Sequence, residues 1–426
     1  MLQHFGFWIF SFVVFRETLS QYSRQRMSED FIRLGDMLYT EEAYDDLRQP
    51  SFRSFRKQIF SFWPKDDDGL VIVPYLIDSS VGSTKKEDIR KAMTQWTEKT
   101  CIKFVDNREA KEKHYLVFQS REKGCFSFVG RSKLAKGQPV NVGKDRECNL
   151  NVIAHEIGHA LGLAHEHTRH DRDEHVVVFL DNISVDERDF RKDKDVFSSY
   201  GVPYNYKSVM HYHKTIFAKN RTIATILPKM VEFEHTLRSN NPVDHYDALL
   251  INLAYKCKDT WANRCRKILE CQNYGFFGAE CKCVCPLGTS GLRCEKRSVK
   301  RLPHYESPRC GGLINGTTMI SDADIFSRGR ISESALPAVK ECIWLVKHRS
   351  DRRLQIVFED FELSEDPECR REFLEIRVNS LYRPDKRACG RQLHGARLQP
   401  KGDIVIYYRV YILEKIPDLK IFIRYF

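Results

Sequence analysis

Apolar and polar positions change their pattern several times along this chain. Residues 5–15 read Phe-Gly-Phe-Trp-Ile-Phe-Ser-Phe-Val-Val-Phe, an almost unbroken apolar run. As a helix the run would rise about 16 Å, roughly half the hydrocarbon core of a bilayer, which is too short for a span. Small residues follow at Thr18-Leu19-Ser20, so residues 1–20 are predicted to be a signal peptide. Residues 21–57 are polar, charged and free of cysteine. The apolar run 70–75 predicts a strand. Ile89, Met93 and Trp96 recur at helical spacing and predict an amphipathic helix over 88–96, and 115–118 predicts a further strand. Ile153, Ile157 and Ala160 form the apolar face of a helix predicted over 149–161. Near the end, 354–358 and 404–408 alternate or run apolar between turns, as strands of a β-sandwich do. Beyond residue 15 no run is long and apolar enough to predict a membrane span.

The polar face of the 149–161 helix changes the picture. His155 and His159 are four residues apart, which stacks two imidazoles on one side of a helix, about 6 Å apart along its axis. Both can bind one zinc ion. Glu156 adjoins the first of them and is placed to take a proton, not to bind metal. Gly162 can end the helix in a left-handed conformation and let the chain bring His165 back to the same metal. Three neutral imidazoles leave a fourth position for a water, whose pKa zinc lowers to about 7. A core helix that merely carries histidines is the alternative, and it needs neither the third histidine nor Gly162.

Some forty residues on stands Ser208-Val209-Met210-His211-Tyr212. H-E-x-x-H-x-x-G-x-x-H followed by a methionine turn is the metzincin arrangement. Glu166, Arg169, Asp171-Arg172-Asp173 and the S-V-M-H-Y turn together resemble the astacin family. The resemblance implies a methionine, Met210, beneath the metal. It implies that Tyr212 reaches the metal at rest and swings away to stabilise the reacting substrate. It also implies that Glu166 pairs with the new N-terminus after activation. The family usually has Phe, Gln and Pro where this chain has Leu163, His167 and His170, and the two histidines are expected to face solvent or be satisfied locally. Residues 58–259 resemble the family's catalytic domain throughout, with bridges implied between Cys101 and Cys257 and between Cys125 and Cys148.

Residues 21–57 then resemble a pro-segment. The family's blocking motif is Phe-x-Gly-Asp, and this chain has Arg33-Leu34-Gly35-Asp36. Asp36 is the expected zinc blocker. Arg33 replaces an apolar anchor, so the segment is expected to be held loosely. Cleavage is expected near the basic stretch 53–57.

Fourteen cysteines, an even number, indicate disulfides and an oxidising compartment. Cys265, Cys271, Cys281, Cys283, Cys285 and Cys294 crowd into thirty residues, and residues 260–296 resemble an EGF-like module, too small to fold without three bridges. A zinc knuckle is the competing reading of the spacing. Residues 310–426, with Cys310, Cys342 and a Cys369/Cys389 pair, resemble a CUB domain. The sequons at Asn182, Asn220 and Asn315 fit a secreted glycoprotein.

The net charge of +11 is modest for 426 residues, and no basic cluster has the density or aromatic interleaving of a nucleic-acid site. The expected fold class is α+β. It comprises a metzincin-type domain with mixed sheet, zinc helix and Met-turn, a disulfide-rich EGF-like module, and an all-β CUB sandwich. The architecture resembles that of nematode astacins. The expected function is a secreted zinc endopeptidase made as a latent precursor, with one Zn2+ per chain and Glu156 and Tyr212 as catalytic groups. Its expected partners are extracellular protein or peptide substrates, matrix and cuticle proteins among them, with neither nucleic acid nor a stable membrane span. A binding protein with an inert protease domain is the rival; inert relatives usually lose the base or a ligand.

Overall fold

The structure, a computed structural model, describes residues 25–28, 31–40, 60–132, 137–144, 148–185, 187–192, 199–220, 223–230, 234, 236–237, 241–297, 311–322, 338–365, 369, 372–378, 386–412 and 418–426. The signal peptide, the basic stretch at 53–57 and Cys310 lie outside them. The described residues fall into two compact units. One lies within Met1–Glu174, Ile183–His213 and Arg238–His304, the other within His175–Asn182, Lys214–Leu237 and Tyr305–Phe426. Among the described residues no helix is long and apolar enough to cross a membrane.

The first unit is built on an eight-stranded mixed sheet. Its strands are β1 (Gln25–Ser28), β2 (Phe31–Leu34), β3 (Met37–Thr40), β4 (Val71–Ile77), β5 (Ile102–Asp106), β6 (Tyr115–Gln119), β7 (Cys125–Phe128) and β8 (Gly137–Val142). In space they run β1-β2-β3-β7-β8-β6-β4-β5. The order shows what the hydrophobic pattern did not: residues 25–40 contribute three strands, and β3 adds in parallel to β7, with Met37 opposite Ser127 and Leu38 opposite Phe128. Helices α1 (Ser83–Thr97) and α2 (Leu150–Ala160) pack together behind the sheet. Ile89, Trp96, Ile153, Ile157 and Ala160 are all fully buried there with Val71, Val73, Leu116 and Val140. Fully burying one such side chain stabilises by about 1.5–3 kcal/mol. The third helix, α3 (His245–Ala254), opens on a capping box between Asp244 and Asp247. Cys101 is bridged to Cys257 and Cys125 to Cys148.

Later in this unit, residues 265–294 hold three bridges, Cys265–Cys281, Cys271–Cys283 and Cys285–Cys294, around two short hairpins. A segment that buries so little apolar surface depends on such links.

The second unit contains a two-sheet sandwich. One sheet orders Gly311–Ile314, Ala338–Val346, Ile404–Ile412, Phe373–Arg377 and Lys386–Ala388; the other orders Thr318–Ser321, Asp418–Tyr425, Leu354–Glu362 and Arg397–Leu398. Cys369 is bridged to Cys389. The same unit holds a buried charge network. Glu234 accepts from Arg377 at 2.7 and 3.1 Å and from Lys214 at 2.9 Å, and Glu375 pairs with Arg377 at 2.6 Å and Arg387 at 2.7 Å. Burial works against the Glu234 charge, but Arg377 and Lys214 bring its pKa down to about 2.

The three sequons differ in exposure. Asn220 and Asn315 are exposed. Asn182 is buried, and its Nδ2 donates to the carbonyls of Ile223 (2.8 Å) and Asn220 (3.1 Å). A glycan would replace one of the two Nδ2 hydrogens and so remove one of these bonds, and the burial of Asn182 argues against a glycan there.

Candidate metal centre

The centre grows from α2. Asn149 caps the helix by accepting from the N–H groups of Asn151 and Val152. Gly162, at φ +104°, ends it, and its N–H bonds the His159 carbonyl at 2.8 Å. The turn carries the chain back, with the Glu166 N–H on the Met210 carbonyl at 3.0 Å. His165 thereby faces His155 and His159, with ring centroids 5.3 and 4.7 Å away. Met210 comes close beneath the helix only because residue 158 is glycine: a Cβ there would stand 2.5 Å from the Met210 sulfur.

Tautomers follow from the partners. Carbonyls only accept, so His155 Nδ1 donates to Val209 (2.6 Å) and His159 Nδ1 to Leu163 (2.8 Å). In the neutral rings each Nε2 is left as a bare lone pair turned inward. His159 Nε2 and His165 Nε2 are 3.2 Å apart, and burial followed by the facing imidazoles keeps His159 well below the usual histidine range. Two such nitrogens crowded together in a buried site need a cation between them. One atom from each of Asp36, His155, His159 and His165 lies within 4.8 Å of the rest, a donor set that fits zinc.

Asp36 is the fourth member. Its oxygens approach His165 Nε2 at 3.0 Å, His155 Nε2 at 3.3 Å and His159 Nε2 at 3.9 Å. Desolvation opposes its charge, yet His165 and His155 hold the carboxyl well below the usual range. Tyr212 donates to Asp36 at 3.4 Å, and burial with the Asp36 charge pushes the phenol well up, so it stays protonated. Glu156 is buried, its Oε2 has no hydrogen-bond partner among the described residues, and burial followed by Asp36 raises it well above the ordinary glutamate value. Glu166 lies further off, accepting from the Asn205 N–H (2.7 Å) and Arg169 (3.2 Å), and burial lifts it to about 7.

Three residues sit where sequence reasoning did not put them. His170 is exposed, but His167 is wholly buried: its ring stacks on Tyr212 at 4.1 Å and its Nε2 donates to the Asp189 carbonyl. Arg33 is not loose. Its guanidinium lies 4.3 Å from the Phe126 ring centre and donates to the carbonyls of Lys123 (3.1 Å) and Cys125 (3.4 Å). An apolar anchor has been exchanged for a cation–π and hydrogen-bonded one. Asp247 carries no expectation from the sequence. It accepts from the Ser208 hydroxyl at 2.6 Å and from the Val209 N–H at 2.9 Å, so it fixes the peptide preceding the one whose carbonyl holds His155. The Asp244-x-x-Asp247 capping pattern was a readable sign of the helix start, though not of this contact.

Comparisons place this geometry among known proteins. The Astacin family of peptidases matches residues 57–256, and the CUB domain family matches residues 326–406. "Zinc metalloproteinase dpy-31" of Caenorhabditis elegans is 34% identical over 326 residues, 73% of this chain and 51% of that protein. "Zinc metalloproteinase nas-27" of the same nematode is 27% identical over 335 residues, 77% of each. "Protein SpAN" of Strongylocentrotus purpuratus is 29% identical over 395 residues, 88% of this chain and 60% of that protein. The chain thus spans from about half to three-quarters of the length of these relatives. Among solved structures, High choriolytic enzyme 1, a hatching enzyme zinc-protease from Oryzias latipes, is 31% identical with a TM-score of 0.42, covering 46% of this chain and 94% of that one.

Proposed function

Because the chain belongs to the astacin family of peptidases and joins an astacin domain to a CUB domain, we propose that it is a secreted zinc endopeptidase made as a latent precursor. The observation that carries this reading is the convergence of three inward imidazole nitrogens with Glu156 beside them and Asp36 against them. His155, His159 and His165 would hold zinc, which would supply there a Lewis acid able to polarise a carbonyl and acidify a water. Glu156 takes a proton from that water and passes it to the leaving amine. Tyr212, protonated and braced by His167, donates to the developing oxyanion. Asp247 keeps His155 in the ligating tautomer through Val209.

Asp36 blocks the chemistry in the precursor. Ser127 N–H bonds the Asp36 carbonyl at 2.9 Å, so the same strand that seats the blocker is open to an extended substrate once residues 25–40 leave. Residues 265–294 are read as an EGF-like module, which their bridge pattern of first to third, second to fourth and fifth to sixth supports. Secretion is supported by the described bridges and by the absence of free cysteines among the described residues. The substrates are extracellular proteins, matrix and cuticle proteins among them, and Asn220 and Asn315 are the sites of glycans.

The test is Glu156→Gln in the full chain freed of its pro-segment. One zinc per chain, measured by elemental analysis, should remain while peptide hydrolysis falls by several orders of magnitude. Retention of a tenth of kcat/KM would remove Glu156 as the base.

A further inference from the structure

Arg33 bonds the Gly35 carbonyl of its own segment through Nε at 2.9 Å, but the rest of its guanidinium occupies a pocket made by residues 123–126. The pocket has a face, the Phe126 ring, and a rim of two carbonyls, Lys123 and Cys125, all directed at one guanidinium. Gly124 opens it: residue 124 sits at φ +77°, and a Cβ there would stand 2.8 Å from Arg33 Nη2. The rim is held by groups that owe nothing to Arg33. The buried Asn141 carboxamide on β8 donates to the carbonyls of Glu122 (2.9 Å) and Gly124 (2.6 Å), and Cys125 is bridged to Cys148. Phe126 is itself fully buried in the β7 strand. The rim is therefore braced by the catalytic unit itself, while the ring face is shared with Leu38 of the same segment as Arg33. It lies near the metal centre, since only Leu34 and Gly35 separate Arg33 from Asp36.

We propose that this pocket is a substrate subsite for an arginine side chain, vacated by Arg33 on activation and refilled by an arginine flanking the scissile bond. The proposal rests on the peptidase reading above. A planar cation satisfies the face and both carbonyls at once. A lysine meets the charge but not the fork, and a carboxylate is repelled by the carbonyl rim. The pro-segment thus holds its place with the same side chain that the enzyme selects in a substrate.

Two arms test this. In the first, Glu156→Gln enzyme, full chain, freed of its pro-segment and zinc-loaded, binds a fluorescent peptide of residues 25–40 carrying either arginine or citrulline at position 33. Citrulline keeps the shape and removes the charge, and should weaken binding by about 10–100-fold. In the second, active enzyme cleaves a peptide library. Arginine should be enriched at one fixed position, and citrulline there should lower kcat/KM by a similar factor. Equal binding of the two peptides overturns the pocket. Cleavage without arginine enrichment overturns the subsite even if the first arm shows the preference, because the pocket then serves the pro-segment alone. Arginine preference in the first arm with no cleavage of any peptide supports the pocket and defeats the peptidase reading instead.

Discussion

Replacing Asp36 by alanine in an uncut precursor separates what blocks the centre from what merely fills the cleft. The carboxylate makes the contacts to His165 and His155 and accepts from Tyr212. A hydrogen bond to a charged group contributes about 1.5–3 kcal/mol, so its loss should raise the fraction of open molecules about 10–150-fold. Other contacts stay in place. Met37 and Leu38 remain buried against the sheet, each by an amount that contributes about 1.5–3 kcal/mol. The Arg33 pocket and the Ser127–Asp36 backbone bond also remain. The uncut Asp36→Ala chain should therefore be clearly more active than the uncut wild type, yet well below the cut enzyme. The wild-type precursor itself should show little leak, because Arg33 is anchored. The assay compares three proteins on one fluorogenic peptide, with the basic stretch 53–57 changed to alanine in both uncut chains, and chelator as the control. If uncut Asp36→Ala is as silent as the wild type, the strand is the lock and the carboxylate is incidental. If it equals the cut enzyme, the Arg33 and strand contacts contribute nothing.

Two further outcomes are expected. Tyr212→Phe should lower kcat by about 100–1,000-fold, as loss of one oxyanion donor does, with zinc content intact; an unchanged kcat removes Tyr212 from the chemistry. Arg377→Met leaves Glu234 buried with Lys214 alone and should destabilise the second unit by about 3–5 kcal/mol, read as a fall in Tm; a shift of under about one degree would refute it. Acid should act on the same pair. Glu234 titrates near 2 when folded against an ordinary 4.5, so its contribution, about 3 kcal/mol, is full above pH 4.5 and lost as pH falls towards 2. The Arg377→Met chain should show a flatter decline of Tm over that window.

Much of the centre was legible because local rules fix it. Two histidines four apart on a helix must share a face, and a glycine after the last apolar residue must let the chain turn. Ile153, Ile157 and Ala160 had to point the other way, and they are fully buried. What escaped was set by partners distant in sequence. The burial of His167 depends on Tyr212, forty-five residues on, and the role of Asp247 depends on a turn nearly forty residues before it. Arg33 looked like a lost anchor because a cation's partners here are backbone carbonyls and one ring face, and no residue pattern marks those. The three strands of residues 25–40 were missed for a related reason: a polar segment gains its regularity from the edge it pairs with. His175–Asn182 and Lys214–Leu237 share a compact unit with the sandwich, and the Glu234–Arg377 pair lies within it, a grouping no local pattern marks.

On the proposed reading, activation would do more to the eight-stranded sheet than unblock a metal. Residues 25–40 supply its outer three strands, so their departure turns β7 into a margin with unpaired backbone groups. Such a margin is a template for any extended chain, and folded proteins usually shield it with charge, proline or a covering element. On that reading the shield would leave on activation, exposing a border able to pair with an extended substrate. The same border does not distinguish a substrate from a partly unfolded neighbour. On that reading the precursor would protect the colloidal state of the protein as well as its surroundings, and one cut would end both protections.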